Sequence, residues 1–181
     1  MNRLLPASIV GASALAAILL AFAPAAGQVS SLKGHNGNAP VDIGADRVEV
    51  EDRADRAVFS GNVVVKQAEL TLTAARLTVA YSGGGKVQIR RIDASGGVTV
   101  TSPSERAVGD FGIYDVSRKI ITLIGGVTLV REGNKVNGGR LVIDLDSGRA
   151  VMDSPGSARS GGRVTGTFTV PQSAAPKKPG A

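Results

Sequence analysis

The sequence predicts an all-β fold of about fifteen short consecutive strands, and three observations carry it. A small residue or glycine followed by a hydrophobic pair returns roughly every thirty residues, in FSGNVVV (59–65), ASGGVTV (94–100) and LIGGVTL (123–129). Between these lies a second set of echoes, ADRVEV (45–50), AARLTV (75–80), GDFGIY (109–114) and GRLVID (139–144), spaced 30, 34 and 30 residues apart. Apolar and polar residues also alternate with period two, as in Leu70 and Leu72 against Thr71 and Thr73, and nowhere is an apolar stripe sustained at helical spacing. Repeats of this kind build a stack of hairpins whose apolar faces must meet one another.

The elements follow in chain order. Residues 1–27 read as an export signal: Asn2 and Arg3 make a short positive start, residues 9–22 are apolar, and small residues around 23–27 suit cleavage after Ala25 or Gly27. The apolar run is shorter than the roughly 20 residues a membrane span needs, which sets an uncleaved anchor behind export. Residues 28–39 form a polar, flexible lead holding the chain's single histidine, His35, which reads as a bystander. The body runs from 40 to 170, with turns at 52–55, 82–85, 103–105, 117–119, 133–134 and 146–148, where Gly, Pro, Asp and Ser cluster. Residues 171–181, rich in Pro, Ala and Lys and without periodicity, read as a disordered tail.

Composition narrows the function classes. The 181 residues contain no Cys and no Trp, so neither disulfides nor thiolate metal sites are available, and the interior is aliphatic. With one His in the lead and no Ser in a GxSxG context, hydrolase triads and His-based metal sites are absent, and no cofactor is expected. The carboxylates, such as Asp144 with Asp146, sit in turns or on solvated strand faces. Removing Arg3 with the signal leaves 20 basic against 15 acidic residues, about +5, a balance that suits an anionic partner or simply a soluble β surface. Nucleic acid is disfavoured, because aromatics to stack bases make up only 3% of the chain. An exported structural β-repeat protein is the other class, against which stand the drift in repeat length and the aliphatic interior.

The runs at 39–81, 109–115 (GDFGIYD), 121–129 (ITLIGGVTL) and 138–150 (GGRLVIDLDSGRA) together resemble the OstA-like family of periplasmic lipopolysaccharide transport proteins. That resemblance implies a folded-over antiparallel sheet, described as a β-taco or twisted β-jelly roll. It also implies a non-enzymatic carrier for lipopolysaccharide, shielding its lipid A acyl chains in a groove. The implied partners are an inner-membrane LptC-like protein, an outer-membrane LptD-like protein and further copies of the chain joined head to tail; an anchored LptC-like sister is the alternative. The family's GN before a strand is kept at Gly61-Asn62 and replaced by glycine pairs at 96–97 and 125–126, where glycine preserves the expected turn.

The expected lipid-lining residues are Val41, Ile43, Val48, Val50, Phe59, Leu70, Leu72, Leu77, Val79, Val98, Val100, Tyr114, Val116, Leu141 and Ile143. Val41 and Ile43 match the opening strand of the resemblance, and Tyr114 the aromatic of GDFGIYD. Plain core packing is the competing reading at each. The internal repeat aligns Phe111 and Ile113 with Leu77 and Val79, opposite in parity to Tyr114 and Val116, and a bulge would reconcile them. Placing Tyr114 and Val116 inside puts Asp115 outside.

Overall fold

The computed structural model describes residues 35–82, 87–154 and 162–169. The predicted export signal, residues 28–34 of the lead, residue 170, the tail 171–181 and most of the 82–85 turn lie outside the described residues.

Strands β1 (Asp42–Gly44) and β2 (Arg47–Glu51) lead through a 3-10 turn (Asp52–Ala54) into β3 (Arg56–Gln67), β4 (Leu70–Ser82) and β5 (Gln88–Thr101). Then come β6 (Glu105–Asp115), β7 (Ile120–Arg131), β8 (Asn134–Asp144), β9 (Arg149–Asp153) and β10 (Thr165–Thr167). They form one antiparallel sheet in which β3 to β8 run as an unbroken meander. Each edge is covered by two short strands. β1 and β2 pair with successive parts of β3, and β10 and β9 with successive parts of β8.

The described residues hold ten strands rather than the fifteen expected, and the reason is local. The Gly-Asn and Gly-Gly pairs read as turns lie inside single long strands, where Gly61, Asn62, Gly96, Gly97, Gly125 and Gly126 all have positive φ. Two successive residues of this kind bend a strand sharply without ending its pairing, so each predicted hairpin is one strand with a bulge. The ladder registers shift at every one of these points.

The two sets of sequence echoes meet along this line of bulges. Gly61 lies against Asp46, Gly96 against Ala75, and Gly125 against Asp110. Asp46 also receives a hydrogen bond from Asn62 Nδ2 at 2.9 Å, and its own amide donates to the Gly61 carbonyl at 2.9 Å. A small or short side chain from one echo thus seats the bend of the other.

The bulges decide which residues turn inward. On β3, β5 and β7 the bend leaves the phase of alternation unchanged, so Val63 and Val65 continue the face of Phe59, and Val98 and Val100 that of Ala94. On β4, β6 and β8 the phase slips by one: Leu70, Leu72 and Ala74 are followed inside by Leu77 and Val79, and Ala107 and Gly109 by Gly112 and Tyr114. The two halves of the bent sheet close on a single aliphatic cluster with Leu77, Ile92, Leu123, Leu141, Ile143 and Val98 at its centre. Burying each such side chain contributes about 1.5–3 kcal/mol, so the fold rests on this cluster rather than on its surface ion pairs.

The turns at the strand ends are closed by their own polar groups. Asp55 takes a left-handed conformation after the 3-10 turn, and Ser102 N donates to the Glu105 carbonyl at 2.9 Å. Asp144 Oδ1 accepts from the amides of Ser147 at 2.9 Å and Asp146 at 3.0 Å, and the Ser147 amide above all holds that carboxyl below its ordinary value.

Candidate functional site

Bending the sheet about its bulges leaves an elongated apolar slot between two walls. One wall is formed by the strand halves on one side of the bulges, with Val65, Leu70, Leu72, Val100 and Leu129. The other comes from the opposite halves, with Leu77, Val79, Ile92, Tyr114, Ile121, Leu141 and Ile143. The seam between the walls is bounded by two rims of turns. One rim carries the 67–70, 101–105 and 131–134 connections, the other those at 52–55, 115–120 and 144–149.

The expected lining residues divide into three groups. Leu70, Leu72, Leu77, Val79, Val98, Val100, Tyr114, Leu141 and Ile143 are buried in the slot cluster, while Val41, Ile43, Phe59 and Val116 are half-buried and packed against it. Val48 and Val50 depart from the expectation, at 56% and 59% exposed. Their register partners Phe59 and Ala57 belong to the inner face, so the parity of the pair is inward. β2 stands at the sheet edge, however, where no opposite wall covers it. Phe111 lies outside and is 55% exposed, so the slip of phase on β6 resolves the two parities of GDFGIYD in favour of Tyr114.

Several residues of the slot escaped the sequence reading. Val63, Val65, Ile92, Ile121, Leu123, Val127 and Leu145 are as buried as any that were named. Alternation carried straight through the glycine pairs would have found Val63 and Val65 from Phe59, and Leu123 and Val127 from Ile121. The polar residues Gln67 and Glu105, both buried, carried no such signal.

The slot is not uniform along its length. Towards the C-terminal edge it widens into a cavity of about 250 Å³ lined by Leu129, Val136, Leu141, Ala150, Met152 and Phe168, with Glu105 and Arg131 at its rim. Arg131 Nε stands 3.4 Å from Glu105 Oε1 there, and the Glu105 side chain is almost wholly buried. Near Val41, Leu70, Tyr114 and Ile121 the enclosed space is only about 20 Å³. An apolar cavity of about 150 Å³ accommodates benzene, so the first region has room for part of a hydrocarbon chain and the second for little beyond one water.

Tyr114 is the polar exception in the interior. Its hydroxyl is buried without a hydrogen-bond partner, and desolvation, followed by the nearby Asp146 charge, pushes the phenol above its ordinary value. Among the described residues no group of three or more His, Asp or Glu side chains is placed to hold a metal ion. What the arrangement can do chemically is enclose apolar chains.

A family described as LptA/(LptD N-terminal domain) LPS transport protein matches residues 42–149. An uncharacterised protein of Rhizobium meliloti is 35% identical over 162 residues, which span 86% of this chain and 83% of that protein. The lipopolysaccharide export system protein LptH of Pseudomonas aeruginosa is 26% identical over 132 residues, 66% of this chain and 74% of that protein. The crystal structure of LptH, described as the LptA homologous periplasmic component of a lipopolysaccharide transport device, shares the fold. Its TM-score is 0.65 at 22% identity, with 75% of this chain and 99% of that chain covered. The LPS-assembly protein LptD of Yersinia enterocolitica is 34% identical over 88 residues, 48% of this chain and 11% of that protein.

Proposed function

The chain belongs to the LptA/(LptD N-terminal domain) LPS transport protein family, and from that premise we propose that it is a periplasmic, non-enzymatic carrier of lipopolysaccharide. In this reading residues 1–27 are removed on export, the 40–170 domain holds the lipid A acyl chains in its slot, and the sugar and phosphate groups trail through the seam into water. The observation that carries the reading is a continuous aliphatic interior that opens at the C-terminal edge into a cavity wide enough for hydrocarbon. Each methylene exposed to water costs about 0.8 kcal/mol, so a carrier of a many-chained lipid must keep the chains covered throughout transfer. Aliphatic walls with few polar anchors do so while leaving the chains free to slide. The test is a photoreactive residue at Ile43 or Tyr114, which should trap lipopolysaccharide in vivo, whereas the same residue at Thr78 or Phe111, on the outer face, should not. Phe111 is the sharper control, being apolar and exposed; labelling there equal to that at Tyr114 would remove the slot as the binding site.

The partners in this proposal are an LptC-like protein at the inner membrane, an LptD-like protein at the outer membrane and further copies of the chain stacked head to tail. Support comes from the edges: β1, β2 and β10 are short, and most of their residues are exposed. Among the described residues the C-terminal strand is Thr165–Thr167, with Val164 and Phe168 exposed on either side. A second copy's β1 or β2 could extend it, and the contact, being heterologous, would propagate rather than close. Deleting residues 163–170 is expected to abolish concentration-dependent oligomers in light scattering while leaving capture at Ile43, at the opposite sheet edge from Phe168, intact in the monomer; oligomers of unchanged size in the deletion variant would place the contact elsewhere.

A further inference from the structure

We propose that residues 35–39 form a strap across the seam that shuts the narrow end of the slot, and that an acyl chain enters this region only when the strap lifts. The inference rests on the lipid-carrier reading for its ligand, and on the following geometry for its mechanism.

The lead predicted to be flexible is docked over its last five residues. His35, expected to be a bystander, is 8% exposed. Its Nε2 lies 3.2 Å from Gln67 Oε1 and its Nδ1 3.1 Å from Glu69 Oε1. Gln67, itself buried, donates its amide nitrogen to the carbonyls of Gly37 at 2.9 Å and Ala39 at 3.0 Å. Those two bonds orient the Gln67 amide so that its oxygen faces the imidazole. Both ring nitrogens of His35 therefore face acceptors, and only the imidazolium makes both bonds. Within the strap, Gly37 N donates to the His35 carbonyl and Ala39 N to that of Asn36, a compact turn.

These anchors sit on one rim of the seam, at the end of β3 and the turn that follows. The other rim is reached at Gly37, where an added Cβ would lie 3.5 Å from Lys119 Cδ, in the turn between β6 and β7. Lys119 Nζ is held in turn by Asp146 Oδ1 at 2.9 Å. The strap thus runs from rim to rim. Beneath it lie Leu70, Tyr114 and Ile121, with Val41 and Gln67 completing the wall, and this is the region reduced to about 20 Å³. A Cβ at position 37 would make ordinary van der Waals contact with the Lys119 stem, so the strap lies against the second rim and the position accepts a side chain. The anchors are polar and few, so the strap can exchange its bonds for water, as a gating segment must.

The test uses the cysteine-free chain, in which a Gly37→Cys and Lys119→Cys pair can be joined by a disulfide or a short cleavable bis-methanethiosulfonate linker. With a photoreactive residue at Ile121, joining the pair is expected to slow capture of lipopolysaccharide by at least about tenfold, with recovery on reduction. The His35→Ala variant should load faster than the parent. Capture at an unchanged rate in the joined form would overturn the strap. The apolar dye anilinonaphthalene sulfonate gives a readout independent of lipopolysaccharide. If no form captures lipid yet joining still excludes the dye, the strap stands and the lipid reading falls; dye entry unaffected by joining refutes the strap whatever the lipid does.

Discussion

Replacing Gly96 by Ala is expected to lower stability by about 2–4 kcal/mol, a large share of the roughly 5–15 kcal/mol that holds a domain of this size together. Two effects add at this position. Gly96 sits at φ +83°, where an L side chain is strained by about 1–3 kcal/mol, and its new Cβ would lie 2.6 Å from the Cβ of Ala75 on the neighbouring strand. The next residue separates the two. Gly97 has φ +81° with nothing within 4 Å, so Gly97→Ala should show the strain alone. Adding Ala75→Gly to Gly96→Ala should recover the contact part, with a coupling of about 1 kcal/mol or more in a double-mutant cycle read by urea denaturation. Equal losses for Gly96→Ala and Gly97→Ala, with no coupling to Ala75, would mean that the meeting of the two echoes at the bend does not matter for stability.

Replacing Tyr114 by Phe should move stability the other way, by about +1 kcal/mol at neutral pH, because a buried hydroxyl with no partner costs about 1–3 kcal/mol that a ring hydrogen does not. The same substitution should remove a pH dependence. The folded phenol stays protonated above its ordinary value of 10.0, mainly through desolvation. The unfolded chain therefore releases its proton first as pH rises, and stability falls from about that value upward until the folded phenol also ionises. Tyr81 is raised as well, by desolvation and then by Asp52, so the Tyr114→Phe variant should retain the part of the alkaline slope due to Tyr81 and lose the part due to Tyr114. Urea midpoints measured at pH 7 and again above pH 10 test both claims. A Tyr114→Phe variant less stable than the parent at pH 7 would show that the hydroxyl has a partner in solution.

Much of the slot was legible in single strands. Where alternation runs without interruption, as at Leu70 and Leu72 or Leu141 and Ile143, the residues named from sequence are the ones buried. Legibility failed at the bends and at the edge. A Gly-Gly pair reads the same whether it closes a hairpin or bends one strand, because both need positive φ; only the pairing of the flanking halves with the next strand tells them apart, and it makes β3, β5 and β7 single bent strands. At β2 the alternation of Val48 and Val50 is as regular as anywhere. Nothing in it reports that the strand stands beyond the opposite wall.

By itself the sequence determined the all-β class, the repeat, the aliphatic character of the interior and the resemblance to a lipopolysaccharide transport family, since each depends on residue type and on spacing along the chain. Tertiary structure alone decided the phase of the inner face on β6, the exposure of Val48 and Val50, and the docking of His35. The physical reason is common to all three. Burial at these positions depends on groups far away in sequence, namely the strand across the bulge, a wall that is or is not opposite, and Gln67 and Glu69 more than thirty residues on. Period-two alternation can say which side of a strand a residue takes, but not what stands facing it.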